Sequence, residues 1–301
     1  MGFRNVALVG LGLIGSSIAR AVREAMPEVG LSGYDMDAAV RERAAQLGLV
    51  DRVADNPGDA VGDADLVILC VPVGAMAEAG AALADHLPRG AIVSDVGSSK
   101  AAVAASLRAV LPEAVVIPAH PVAGTENSGP DAGFATLFQG RWCILTPADD
   151  ARVEDVQRLS DFWTSLGAKV ERMDAKHHDL VLAVTSHLPH LIAYTIVGTA
   201  SDLERVTESE VIKYSAGGFR DFTRIAASNP TMWRDIFLTN KEAVLDMLQR
   251  FTEDLSFLQR AIRLDDGDTL FDLFTRTRAI RRGIVAQGQD VAEPDFGRQS
   301  G

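Results

Sequence analysis

Over the first part of the chain, short apolar runs alternate with stretches whose apolar residues recur at helical spacing. Val6–Val9, Leu31–Tyr34, Leu66–Val71, Ala91–Asp95, Val115–Ala119, Cys143–Leu145 and Lys169–Arg172 read as strands. Gly15–Ala25, Ala38–Leu47 and Val153–Leu166 read as helices between them, and Gly167 stands where a helix C-terminal glycine belongs. Alternation of this kind predicts an α/β domain: a mostly parallel, doubly wound sheet with helices on both faces.

After Asp174 the strand pattern stops. Residues 176–201, about 204–226, 231–263 and 268–286 read as helices, with Asn229-Pro230 and Asp266-Gly267 as breaks. In the third, Val244, Leu248, Phe251, Leu255, Leu258 and Ile262 recur in alternating steps of four and three, an a/d seam. Such a seam is buried either inside an all-α domain or against a second copy; a homodimer is the favoured reading. The expected division is 1–175, 176–286 and a loose polar tail at 287–301. The uncharged run Leu180 to Ser201 is long enough to span a bilayer. Ser186, His187, Pro189 and His190 interrupt it, which predicts a buried helix of a soluble domain instead.

Charge narrows the function. With 29 Lys and Arg against 41 Asp and Glu the formal net charge is −12, a poor match for nucleic-acid phosphates or an anionic membrane surface. An anionic small molecule remains open to such a protein if a few basic side chains are focused at its site. The apolar run after Arg4 carries three glycines at fixed spacing and no small-residue cleavage site, so it does not read as a secretory signal. Met1-Gly2 lacks the later Ser or Thr of a myristoylation site. Only Cys70 and Cys143 are present, both in apolar runs, so no disulfide framework is expected and a reducing cytoplasm is the natural setting.

Gly10-Leu11-Gly12-Leu13-Ile14-Gly15 follows the first strand and opens the first helix. In that context Gly10 permits the tight turn and Gly12 lets a pyrophosphate approach the backbone. Gly15 lets the helix pack on the strand with its N-terminal amides toward the anion. Asp35 stands about 20 residues on, where a carboxylate bonds the adenosine ribose and repels a 2′-phosphate, so NAD is expected in preference to NADP. Leu13 and Ile14 of the same motif are expected to contact the cofactor, and further contacts are expected at the ends of later strands, from Cys70, Val71, Pro72, Ser98 and Ser99.

His120 follows the expected strand Val115–Ala119, beside the place for the nicotinamide, and an imidazole can take the proton that oxidation of an alcohol releases. Ser99 either holds that imidazole or the substrate hydroxyl, or caps a loop or helix. His187 and His190 in Ser186-His187-Leu188-Pro189-His190 are three apart. That is also metal-ligand spacing, but with no third ligand nearby in sequence a polar contact to substrate is preferred and no metal is expected. His177 and His178 beside Asp179 fit either a group facing the cleft or a solvated pair. Arg220 and Arg224 lie one helical turn apart after Gly217-Gly218. They fit a carboxylate receptor or surface salt bridges to Asp221 or Glu210.

These residues together resemble the prephenate/arogenate (cyclohexadienyl) dehydrogenase family of tyrosine biosynthesis. The likeness is carried by G-L-G-L-I-G at 10–15, D-V-G-S-S-K at 95–100 and H-P-V-A-G-T-E at 120–126. It continues through S-H-L-P-H at 186–190, G-G-F-R-D-F-T-R-I-A at 217–226 and M-W-R-D-I-F at 232–237. The resemblance implies an oxidoreductase with a Rossmann-type N-terminal domain and an all-α dimerisation domain. It implies that His120 accepts the ring hydroxyl proton while Ser99 bonds that histidine, and that Arg224 binds the ring carboxylate with Arg220 beside it. It places His190, Ser186, Glu126, Thr125, Trp233 and His178 along the substrate cleft. The runner-up is a β-hydroxyacid dehydrogenase, whose lysine base finds no counterpart in Lys213 or Lys241. A non-catalytic NAD-binding module is a third reading, with no use for His120 beside an arginine pair.

Overall fold

The computed structural model describes residues 2–125, 127–204 and 217–286. Nine strands are found among them: β1 (Asn5–Val9), β2 (Gly30–Tyr34), β3 (Arg52–Val53), β4 (Leu66–Leu69), β5 (Ile92–Asp95), β6 (Val115–Val116), β7 (Ala119–Pro121), β8 (Trp142–Leu145) and β9 (Lys169–Arg172). The α-helices are α1 (Leu13–Ala25), α2 (Ala38–Gln46), α3 (Pro57–Val61), α4 (Met76–Ala81), α5 (Ala101–Val110), α6 (Val153–Ser165), α7 (Ala175–Leu182), α8 (Leu188–Glu204), α9 (Gly217–Thr223), α10 (Pro230–Thr239), α11 (Lys241–Arg263) and α12 (Gly267–Ala286).

Six strands form a parallel sheet in the order β3-β2-β1-β4-β5-β6, reversing direction of growth between β1 and β4. Open sheets of this order bind ligands outside the carboxyl ends of the strands at that switch point. Both faces are buried, as continuous apolar strands require. Along β1, Val6 and Leu8 join one core with Ile18, Val22 and Trp163, while Ala7 and Val9 join another with Val67, Met76 and Leu107.

Three expectations are corrected. Val115–Ala119 is not one strand: Pro118 has no N–H for the ladder, and the chain passes from β6 into β7 of a separate sheet ordered β7-β8-β9. Lys169–Arg172 belongs to that small sheet and not to the large one. The helix expected over 231–263 breaks at Asn240 into α10 and α11, because Asn240 leaves helical geometry (φ −106°, ψ 34°). Asn229 caps α10 by accepting from the amides of Thr231 and Met232, with Pro230 in the first turn.

Two compact units are found, Met1–Leu245 and from Asp246 onward. The first runs past residue 175 because Trp233 and Ile236 of α10 are buried in the same core as Val9 and Leu69. The apolar run predicted as one helix is continuous from Ala175 to Asp202 but contains a π-turn at Ala183–His187 between α7 and α8. Pro189 follows at once; without an N–H, and with its ring against the preceding turn, it favours that widening. By length and composition the run could cross a membrane. Its buried His178, Asp179 and His187, however, bond groups from α5, β7 and Asn240.

Candidate active site

The glycine turn is built as a cradle. Gly10 has φ +100°, and a Cβ there would lie 2.5 Å from the Cys70 carbonyl oxygen. At Gly15 a Cβ would lie 2.0 Å from the Gly10 oxygen, whereas Gly12 has nothing within 4 Å of where one would point. Leu13 and Ile14 open α1, whose first turn carries no acidic residue and no side-chain cap, leaving its amides available to an anion. Asp35 ends β2 and turns back on the cradle, its Oδ2 accepting from Leu11 N at 2.8 Å. Cys70, Val71 and Pro72 run beneath the turn; burial pushes the Cys70 thiol upward, so it packs rather than reacts. An open glycine cradle, uncapped amides and a carboxylate at the end of the second strand fit a dinucleotide.

His120 sits on β7, 6% exposed, with its Nδ1 2.9 Å from Nε2 of His178. His178 Nδ1 is 2.9 Å from Oδ1 of Asp179. The ionised carboxylate only accepts, so His178 carries its proton on Nδ1 and offers Nε2 as an acceptor. His120 then donates from Nδ1 and keeps its lone pair on Nε2. The Asp179 carboxylate is itself fixed at the start of α5, where Oδ1 accepts from Lys100 N (2.7 Å) and Oδ2 from Ala101 N (2.9 Å). Burial, then His178, Lys100 and His187, hold the His120 imidazole well below its ordinary range, so it rests neutral. A neutral, oriented imidazole is a proton acceptor.

Other expected residues gather here in part. His190 stacks on Trp233 with ring centroids 3.6 Å apart, and its Nδ1 donates to the Ser186 carbonyl at 2.8 Å. Arg224 opens the 3-10 turn Arg224–Ala227 close enough to His190 to oppose its protonation, behind the larger effect of burial. Arg220 lies on α9 and is exposed. The π-turn sends His187 inward, where burial takes it down to about 4 and Asn240 lies 3.0 Å from its Nδ1. Thr125 is exposed in the loop after β7, with its hydroxyl accepting from Asn127 N. Glu126, and residues 205–216 and 287–301, lie outside the described residues.

Two expectations change. Ser99 does not bond the His120 imidazole: it lies 2.8 Å from Thr239 Oγ1. Because that hydroxyl donates to Asp235 O, Ser99 spends its proton on Thr239 and is left as an acceptor. His178 is neither solvated nor a peripheral substrate contact but the direct partner of His120, while His177 is exposed. The sequence pattern alone assigns no role to Asp179, Asn240, Asp95 or Lys100. For the last two the signal in the sequence is that an acidic and a basic residue close the same motif, D-V-G-S-S-K. Among the described residues no cluster of His, Cys, Asp and Glu has metal-binding geometry.

A glycine cradle at the switch point, with a neutral imidazole held by a second histidine and a carboxylate, defines a dinucleotide-dependent oxidoreductase. Residues 18–172 match the family model for the prephenate dehydrogenase nucleotide-binding domain, and 174–276 that for its dimerization domain. The chain is 47% identical over 282 residues to a cyclohexadienyl dehydrogenase of Zymomonas mobilis, covering 94% of this chain and 96% of that one. It is 33% identical to a prephenate dehydrogenase of Bacillus subtilis, covering 97% and 79%. A crystal structure of prephenate dehydrogenase from A. aeolicus, in complex with hydroxyphenyl propionate and NAD+, superposes with a TM-score of 0.89 at 33% identity, covering 94% and 99%. The chain belongs to the prephenate dehydrogenase family.

Proposed function

We propose that this chain catalyses the NAD-dependent oxidative decarboxylation of prephenate, arogenate or both, in tyrosine formation. The observation that carries the reading is the relay His120–His178–Asp179, which leaves a lone pair on His120 Nε2 where a strand of the second sheet reaches the cofactor side of the fold. NAD+ supplies the hydride acceptor for the ring carbon that bears the hydroxyl. His120 Nε2 takes the hydroxyl proton, and the positive charge that forms is shared through His178 with Asp179. Arg224 engages the ring carboxylate that departs as carbon dioxide when the ring becomes aromatic, with Arg220 at the rim. His190, stacked on Trp233, and Ser186 border the ring. Aromatisation provides the drive, so positioning and proton removal are what the protein adds.

Asp35 supports NAD over NADP, since its carboxylate would face a 2′-phosphate. A homodimer is supported by the match to a dimerization domain and by apolar side chains of the single chain left exposed, Phe257 (54%), Phe271 (70%) and Phe274 (56%) among them. Membership of a family of biosynthetic enzymes supports a cytoplasmic setting, and 1–175 with 176–286 is the functional division we infer.

The test is NADH formation, by absorbance, with prephenate and arogenate crossed against NAD+ and NADP+, in the parent and in His120→Asn. Turnover with NAD+ on at least one substrate is expected, reduced by roughly 10²- to 10⁴-fold in the variant, with NAD+ affinity retained. Full activity of His120→Asn would overturn the mechanism.

A further inference from the structure

Among the described residues Lys100 is, after Trp163, the largest fully buried side chain, with 0% exposure. A lysine is seldom buried to that degree without a partner, and burying an ion pair is often no more stabilising than burying apolar residues of the same size. The Lys100 ammonium pairs with Asp95, also 0% exposed, and donates to the carbonyl of Ala119 at 2.7 Å. Asp95 in turn accepts from the amide of Ala119 at 3.3 Å and from that of Gly97 at 2.8 Å. The pair thus brackets both main-chain groups of the residue that precedes His120. The backbone amide of Lys100 meanwhile donates to Asp179, whose carboxylate holds His178 against the His120 imidazole. One residue reaches the imidazole from both ends, through its strand and through its relay.

We propose that Asp95 and Lys100 are positioning residues for proton transfer: the pair locks β7 to the end of β5 so that His120 meets His178 with its Nε2 free. The proposal rests on the reading of His120 as the base. The groups facing His120 are Lys100 at the start of α5, His178 on α7 and His187 of the π-turn, with Asp95 of β5 and Asp179 of α7 behind Lys100 and His178. Of these, His178, Lys100 and His187 oppose its protonation, adding to burial.

The full chain is compared with a charge-neutral double variant, Asp95→Asn with Lys100→Met, and with Lys100→Arg. Melting, the Kd for NAD+, and kcat and KM for the better substrate are measured from pH 5 to 9, and the His120 imidazole is titrated by NMR. In the double variant we expect kcat to fall about 10- to 100-fold with KM and the Kd for NAD+ changed by less than about threefold. The acid limb of kcat/KM and the His120 titration both move to higher pH. In Lys100→Arg, where the charge stays but the shape changes, kcat falls while the acid limb stays put. If the double variant does not fold, the arginine variant alone decides. A kcat within about twofold of the parent in the folded variants, with an unmoved His120 titration, would reduce the pair to a structural role. An inactive parent, or an active His120→Asn, would instead remove the reading of His120; the NMR titration, which needs no turnover, separates the two failures.

Discussion

Asp179 decides which nitrogen of His120 carries a proton, although the His178 imidazole stands between them, because each hydrogen bond in the relay leaves only one direction for the next. Replacing it by Asn keeps the shape, but an amide nitrogen at the Oδ1 position then meets Lys100 N, while the oxygen at the Oδ2 position still accepts from Ala101 N. It also allows an amide N–H to face His178 Nδ1, which moves the proton of His178 to Nε2 and sets two donors against each other at the His120 contact. The relief is for His120 to carry its proton on Nε2, where it no longer acts as a base. Asp179→Asn is therefore expected to lower kcat by about 10²- to 10⁴-fold while the Kd for NAD+ stays close to the parent, by analogy with the carboxylate of a Ser-His-Asp triad, and to lower the melting temperature through the unmatched Lys100 amide. Steady-state kinetics and a cofactor titration check this, and a kcat within twofold of the parent would contradict the relay. At this scale the sequence made His120, Arg224 and the three glycines legible, because each belongs to a spaced motif or a strand end. Asp179, Lys100 and Asn240 were not, since their partners lie 58 to 79 positions away for the relay and the α5 cap, and 61 for the bond from Asn240 to Asp179.

Elements were legible where one period dominates. Continuous apolar strands and the helices between them gave the large parallel sheet, and β9 matches the expected Lys169–Arg172. Misreadings arose where a single residue overrides the period: Pro118 splits β6 from β7, and Asn240 interrupts the helix expected over 231–263 because its amide is engaged by Asp179 O and His187 Nδ1. The two-residue β3 is too short to show any alternation. The βαβ turn allows a test at this scale. A Cβ on residue 15 would lie 2.0 Å from the Gly10 carbonyl oxygen, which belongs to the turn backbone and cannot swing aside like a side chain. Gly15→Ala must push α1 off β1 and displace the amides that face the pyrophosphate. The Kd for NAD+ is expected to rise at least about tenfold, with a lower melting temperature, since both helix packing and anion binding depend on that approach. Fluorescence titration with NAD+ reads the first effect, and unaltered affinity would mean the cradle tolerates the shift or holds no pyrophosphate.

Across the molecule, the histidines that build the site also set how stability varies with pH. His120, His178, His187 and His190 are all held below the ordinary histidine value, burial being the first cause in each. In the unfolded chain each binds its proton near pH 6.5. As pH falls through that value the unfolded state takes up protons that the folded state refuses, so stability is complete above 6.5 and declines below it. For His187 the decline continues until its folded value of about 4, at about 1.4 kcal/mol per pH unit, or on the order of 3 kcal/mol in total. Asp51, Asp131, Asp174 and Asp266 are also held below their unfolded range, chiefly by hydrogen bonds that their charged forms accept, and their stabilising effect is lost only as pH drops below about 4. The window between pH 6.5 and 5 therefore belongs to the histidines. Urea midpoints are expected to fall steadily across it, and His187→Gln, which removes one titrating ring, should flatten the slope. Midpoints that hold level or rise between pH 7.5 and 5 would show that these rings charge freely in the folded protein, and a base kept neutral by its burial could not then be sustained.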